Sequence, residues 1–251
     1  MVEDGLMQDE KIFVFHIRVQ DGVPQFLHPL AGTLEWIDRL KKNSLEGRYG
    51  AEPRLESINL FKEELQEILK KAIRRWAADR WFPERFILAA LSFLLAYFFF
   101  SYVIRDPIPV IDELVLAFLS GILTFRGLAR RYEAREEVVS LTKELQERID
   151  RIRFEESALI RNVEALLEEW EASSFDNLLD RWRRGEKLAI NPDDFEEAQG
   201  LLFALECRFS EKERRRFLKE LEKGSLGKKR KGQQRDLSYL FLYHLLLRSL
   251  S

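Results

Sequence analysis

"FILAALSFLLAYFFFSYVI", Phe86 to Ile104, decides how this chain is read. The stretch carries no charge, and its only side-chain polar atoms are the hydroxyls of Ser92, Tyr97, Ser101 and Tyr102. As a helix it spans roughly 28 Å, close to the hydrocarbon thickness of a bilayer. Its apolar side chains favour insertion by about 4 to 7 kcal/mol in total. Trp76, Trp81 and Phe82 precede it and Tyr102 lies near its far end, where interfacial aromatics belong. A helix apolar on all sides otherwise needs a much larger protein around it. The stretch therefore reads as a membrane span.

A second apolar run, "LVLAFLSGILTF", covers Leu114 to Phe125. Alone it reaches only about 18 Å. It crosses if Ile108 to Ile111 and Leu128-Ala129 dip into the bilayer edges while Arg126 snorkels to the headgroups. Asp112 and Glu113 at the bilayer centre would cost about 2.5–3.5 kcal/mol each, so they belong near an interface, at a helix start. Pro107 and Pro109 suit such a start. Lys70, Lys71, Arg74, Arg75, Arg80 and Arg85 precede the first span, and Arg126, Arg130, Arg131, Arg135 and Lys143 follow the second. The loop between offers only Arg105. The positive-inside rule then puts both termini in the cytoplasm, with spans at about 86–104 and 108–129 inside a hairpin region 81–130. A re-entrant or interfacial second segment is the other arrangement. The cell inner or plasma membrane is the expected location.

The rest is globular in composition. The 251 residues are 33% charged and 46% hydrophobic, with a formal net charge of −2. That leaves no global attraction to nucleic acid or anionic lipid. The lone Cys207 cannot form an internal disulfide and fits a reducing compartment. The acidic residues around Val2, Leu6 and Met7 predict no cleaved secretory signal.

Residues 1–80 read as an α+β region. "KIFVFHIRV" is a strand with Phe13, Phe15, Ile17 and Val19 on one face, and Asp21-Gly22 is a hairpin turn. Pro24 places the second strand at an edge. This turn pairs His16 with Leu27 and His28 with Phe15, on opposite sheet faces. Thr33 caps a short helix, "LEWIDRLKK", and a longer helix starts near Pro53 and runs toward the membrane, with Pro83 as a kink or break.

Residues 131–172 read as one long amphipathic, coiled-coil-like helix. A seven-residue frame from Val138 places Leu145, Ile149, Ile152, Leu159, Val163 and Leu166 on one seam, interrupted by Glu156. The seam serves either self-association or packing within the chain's own domain. Arg153 and Arg161 stand near enough to shield Glu156. Residues 173–251 read as a small helical bundle. Ser173 or Ser174 opens one helix and Gly185 closes it. Asn191 caps the next, with Pro192 at its first position. Ser210 to Glu213 form a capping box, and Gly224 ends that helix. A basic linker covers 223–235. Its run Lys228, Lys229, Arg230, Lys231 is either solvated or a contact for anionic headgroups. The apolar last helix is buried in the bundle or lies on the membrane.

No catalytic, cofactor or metal pattern emerges. The three histidines lack ligand spacing, "GSLGKK" has the wrong glycine spacing for a phosphate loop, and Cys207 falls mid-helix among apolar neighbours. The expected fold is a mostly α membrane protein: an N-terminal β-hairpin-plus-helix region, a two-helix transmembrane hairpin, a long helix and a C-terminal bundle. The expected role is a non-catalytic, membrane-tethered helical scaffold or adaptor. Its partners are the bilayer and either a second copy or another protein bound through the cytoplasmic helices, with no nucleic acid and no cofactor. The alternative is an oligomeric cation channel or transporter subunit using Asp106, Asp112 and Glu113 in the loop. A charge-free span, an acidic proline-rich loop and a second span before a coiled-coil pattern resemble the layout of calcium-uniporter-type channels. The Trp-Asp-x-x-Glu filter signature of that family is absent, because Asp112 and Glu113 are adjacent and no Trp precedes them.

Overall fold

"IFVFHI" explains the sheet. Ile12 to Ile17 are all buried, so both faces of this strand are covered, and a doubly covered strand reads as a continuous apolar run. The computed structural model describes residues 11–18, 24–30, 34–103, 111–224 and 234–251. In chain order the elements are β1 (Ile12–Arg18), β2 (Pro24–Leu27), α1 (Leu34–Lys42), β3 (Leu45–Tyr49), α2 (Leu55–Arg80), α3 (Phe82–Val103), α4 (Ile111–Glu133), α5 (Glu136–Asp150), β4 (Phe154–Glu156), α6 (Ala158–Glu171), α7 (Phe175–Arg183), a 3-10 turn (Pro192–Asp194), α8 (Phe195–Arg208), α9 (Glu211–Lys223) and α10 (Gln234–Leu250). The described residues form two compact units. One holds 11–18, 24–30, 39–66, 148–224 and 234–251; the other holds 34–38, 67–103 and 111–147.

The first unit is built on a four-stranded sheet of order β2-β1-β3-β4. Strand β1 runs antiparallel to β2 and parallel to β3, and β3 runs parallel to β4. Pro24 does sit on an edge strand, the place in a sheet that tolerates a residue without an N–H. Phe13, Phe15, Ile17 and Leu27 enter one core with Leu159, Val163, Leu201, Phe217 and Phe241 of the helices. On the opposite face the Phe61 ring of α2 stacks on Phe26 at 4.1 Å, and Phe154 meets Phe26 edge-on at 6.0 Å. Gly47 makes room for Phe154: a Cβ there would lie 2.5 Å from the ring.

Several expectations are corrected here. The hairpin is part of a larger sheet, because β3 and β4 join it. Its register differs by one residue, with Phe15 opposite Leu27 and His16 opposite Phe26. His16 and His28 therefore fall on the same face, not opposite faces. The turn at Asp21-Gly22 and the Thr33 cap lie outside the described residues.

The region 131–172 is not one helix. Helix α5 stops at Asp150, where Lys62 Nζ donates to the Asp150 carbonyl at 2.7 Å and Gln66 Nε2 donates to its carboxylate at 2.9 Å. The backbone then pairs with β3: Gly47 N donates to Arg153 O at 2.9 Å, and Ser157 N donates to Tyr49 O at 2.8 Å. Strand pairing, with Phe154 seated over Gly47, overrides the helical pattern. Ser157 then caps α6, its hydroxyl accepting from Ile160 N at 3.1 Å. Glu156 sits on this exposed strand and pairs with Arg161.

The tail follows its caps. Ser174 accepts from Asn177 N, and Gly185 closes α7 at φ 72°. Ser210 and Glu213 form the full capping box of α9, and Gly224 ends it at φ 69°. Asn191 makes no side-chain cap bond; Pro192 opens the 3-10 turn and α8 begins at Phe195. Helix α10 is buried in the unit's core, with Phe241 edge-on to Trp170 at 5.0 Å.

The second unit centres on α3 and α4, which run antiparallel. Their cross-contacts fall at Glu84–Arg135, Arg85–Phe125, Ser92–Ser120 and Ser101–Glu113, so one helix descends as the other climbs. Among the described residues α3 alone is long and apolar enough to cross a membrane, with mean hydropathy 2.2 and none of its apolar window buried.

Candidate functional site

Small residues let α3 and α4 approach closely. Ala117 is fully buried, and a Cβ on Gly121 would stand 3.4 Å from both Ala89 O and Phe93 Cβ. Ala117, Ser120, Gly121 and Thr124 recur every three or four residues, the spacing that keeps one helix face narrow. Into this seam Ser92 Oγ places one hydroxyl within 3.0 Å of Ser120 Oγ and 2.8 Å of Thr124 Oγ1. The three hydroxyls satisfy one another inside an apolar helix pair. Beside them lies an open groove of about 960 Å³, walled by Leu91, Leu95, Phe99 and Leu119.

Each end of the seam carries a buried charged side chain. At one end Glu113, only 3% exposed, accepts from Ser101 Oγ through Oε2 at 2.7 Å. Its second oxygen, Oε1, is buried without a hydrogen-bond partner among the described residues. At the other end Arg85, 7% exposed, lies 4.2 Å over the Phe125 ring and donates from Nη2 to Phe125 O at 3.4 Å. Beyond it Trp81 stacks on Tyr132 at 5.7 Å with the rings 9° from parallel. Arg135 caps both rings, at 5.0 Å and 4.0 Å, and pairs with Glu84 at 3.4 Å. The two rings and the guanidinium pack together as one amphipathic cluster.

Of the loop acids singled out in the sequence, only Glu113 has a described side chain. It points into the helix seam. Asp106 lies outside the described residues, as does the side chain of Asp112. Lys228, Lys229, Arg230 and Lys231 also lie outside them. Leu145, Ile149 and Ile152 are buried, Leu159 and Val163 belong to the first unit's core, and Leu166 is half-buried against it. The seam positions thus fall on two helices: the helical run breaks between Ile152 and Leu159, and Leu159 and Val163 are core.

The first unit holds one dense polar cluster. Arg48 Nη2 meets Glu46 at 2.6 Å, Nη1 meets Glu155 at 3.2 Å, and Nε meets Glu197 at 3.3 Å. The Ser157 hydroxyl donates to Glu197. Burial pushes the Glu197 carboxyl up, while Ser157 and Arg48 pull it down. The cluster ties β3 and β4 to α8 through one guanidinium shared by three carboxylates. Sequence reasoning missed this cluster, because its members are scattered over 151 positions, from Glu46 to Glu197.

The remaining candidates are quiet. His244 is buried among Trp182, Phe217 and Tyr243, and its Nε2 donates to Arg214 O at 3.1 Å. Burial drops its pKa to about 4. Cys207 is exposed on α8, a correction to its expected apolar surroundings, and partial burial of the thiol still pushes its pKa up. Among the described residues no three His, Cys, Asp or Glu side chains stand together as a metal site.

No protein-family model, no curated protein and no solved structure matches this chain.

Proposed function

We propose that the chain is a two-pass integral membrane protein that tethers a cytoplasmic helical assembly, a scaffold or adaptor without catalysis of its own. The observation that carries the reading is the α3–α4 pair. Helix α3 offers an unburied apolar surface of membrane length, and α4 is held along it by hydroxyls and by buried Glu113 and Arg85. A polar seam inside an apolar pair suits lipid, where unsatisfied groups are costly. Helix α4 has only twelve uncharged residues between Glu113 and Arg126, so its crossing relies on its ends reaching the interfaces. Both termini are then cytoplasmic. Partners bind the cytoplasmic helices, as a second copy or as another protein.

The test is site-directed labelling in a Cys207→Ser background. Ile108→Cys is expected to react with an impermeant thiol reagent from outside the cell, and Ser57→Cys and Ser225→Cys are not. External reaction at position 225 rejects the second crossing. Crosslinking in intact membranes, with identification of co-purified proteins, then names the partner.

The second reading is an oligomeric cation channel or transporter subunit. It rests on Glu113 Oε1, since a buried carboxyl oxygen with no partner among the described residues, in a membrane helix, is an ion-site candidate. Cation flux in liposomes that is lost in Glu113→Gln supports it; absence of flux from the wild type removes it.

A further inference from the structure

Helix α9 carries a stripe of cations. At about 100° per residue, Lys212, Arg215, Arg216, Lys219 and Lys223 fall within an arc of about 100°. All five are exposed. The opposite side is anchored, with Phe217 and Leu221 in the unit's core. Acidic residues stand only at the margins of the stripe. Glu211 pairs with Arg215, and Glu220 takes Arg216 at 3.1 Å. Lys212, Lys219 and Lys223 pair with no carboxylate among the described residues. A shallow concavity of about 510 Å³ lies over Lys212, Arg215, Arg216 and Lys219.

We propose that this face of α9 is a docking surface for anionic phospholipid headgroups. The charge distribution selects that occupant. The whole chain is net −2, so the stripe is a local device and not a reflection of overall charge. No aromatic side chain lies within the stripe to stack a base, which disfavours nucleic acid. Exposed cations on a rigid helix meet a negative membrane surface additively and over a short range. Resting on the reading above, α3 holds the chain at a bilayer, where even weak headgroup contacts act at high effective concentration. The consequence is a scaffold whose cytoplasmic unit lies down on acidic membrane and lifts off neutral membrane.

The experiment uses the full chain reconstituted in phosphatidylcholine nanodiscs, mixed with vesicles of phosphatidylcholine alone or with about 30% phosphatidylserine, and separated by flotation. The wild type is expected to float with acidic vesicles only, and less as salt rises. The variant Lys212→Gln/Arg215→Gln/Lys219→Gln/Lys223→Gln is expected to bind about tenfold more weakly or worse. Arg216 is left intact because its partner Glu220 is buried. A control removes the same charge elsewhere, through Lys42→Gln/Arg54→Gln/Arg153→Gln/Lys187→Gln, and is expected to bind like the wild type. Unchanged helicity of both variants keeps folding out of the comparison. Equal binding by the stripe variant, equal loss in the control, or binding of duplex DNA in place of vesicles overturns the proposal. Loss only on replacing Lys228 to Lys231 by Gln also overturns it. Failure of the chain to enter nanodiscs rejects the membrane anchor instead; the vesicle assay on detergent-free protein then still decides the stripe.

Discussion

Ser101 donates a hydrogen bond to Glu113 across the α3–α4 seam, Oγ to Oε2 at 2.7 Å, while Glu113 Oε1 remains buried without a partner among the described residues. A hydroxyl and a carboxyl twelve positions apart thus close the end of the helix pair where the chain turns.

Ser101→Ala removes the hydrogen bond to that carboxyl and is expected to destabilise the helix pair by about 1–2 kcal/mol. Glu113→Gln keeps an acceptor for Ser101 and is expected to cost less. The double variant Ser101→Ala/Glu113→Leu is expected to recover most of the loss, because an apolar replacement of both partners leaves nothing unsatisfied. Thermal unfolding in detergent micelles measures all three. A double variant less stable than Ser101→Ala contradicts the assignment.

The α5-to-α6 segment makes a second test. Leu159 is fully inside the first unit's core and Ile152 is buried just before β4, while Glu156 is exposed and paired with Arg161. Leu159→Asp is expected to cost at least 3 kcal/mol and to unfold the first unit. Glu156→Leu is expected to change stability by less than about 0.5 kcal/mol and to leave the sedimentation coefficient unaltered. A clear gain of association in Glu156→Leu would restore the seam as an interface.

Local signals in this sequence are legible, and long-range ones are not. Caps at Ser174, Ser210 and Gly224 are satisfied within a few residues, so they are legible from neighbours alone. The edge position of Pro24 follows from its missing N–H. What failed needed partners far away. "RFEES" carries a helical pattern, and only Gly47, more than 100 positions earlier, makes it a strand by admitting the Phe154 ring. The hairpin register differs by one from that of a two-residue turn for a similar reason: burial of both sheet faces leaves alternation with little power to fix the pairing. At the α3–α4 seam the apolar length was visible. The hydroxyl contacts were not, because Ser92 gains meaning only opposite Ser120 and Thr124.

Gly200 offers a packing test of that sheet. A Cβ on this α8 residue would lie 2.6 Å from Phe13 Cδ2, and Phe13 has little freedom, being buried between Phe15 and Arg48. Gly200→Ala is expected to lose about 1–3 kcal/mol through overpacking. Gly127→Ala in α4 meets nothing within 4 Å and is expected to lose nothing, since alanine favours the helix. Denaturant midpoints of the two variants should move in different directions or not together; a stable Gly200→Ala protein would mean that β1 and α8 are more loosely packed.

His244 sets an acid limit. Its pKa falls from 6.5 free to about 4 folded because burial penalises the imidazolium, with the nearby Arg214 charge adding to the drop. Above about pH 6.5 the ring is neutral in both states and pH changes nothing through it. Between about 6.5 and 4 the unfolded chain takes up a proton that the folded chain refuses, so stability falls as pH falls. Below about pH 4 both states are protonated and the loss levels off, having reached about 3 kcal/mol at most. Glu197 acts with the opposite sign: its raised pKa means that its stabilising share is lost as pH rises through the folded value. The two are separable by mutation. His244→Phe keeps an aromatic ring against Phe217 and Trp182 and removes the titration, at the cost of the bond to Arg214 O. Its stability between pH 7 and 4 is expected to decline less steeply than that of the wild type. Parallel pH–stability curves for the two proteins would show that the imidazole titrates freely, and that burial beside Arg214 does not hold it neutral.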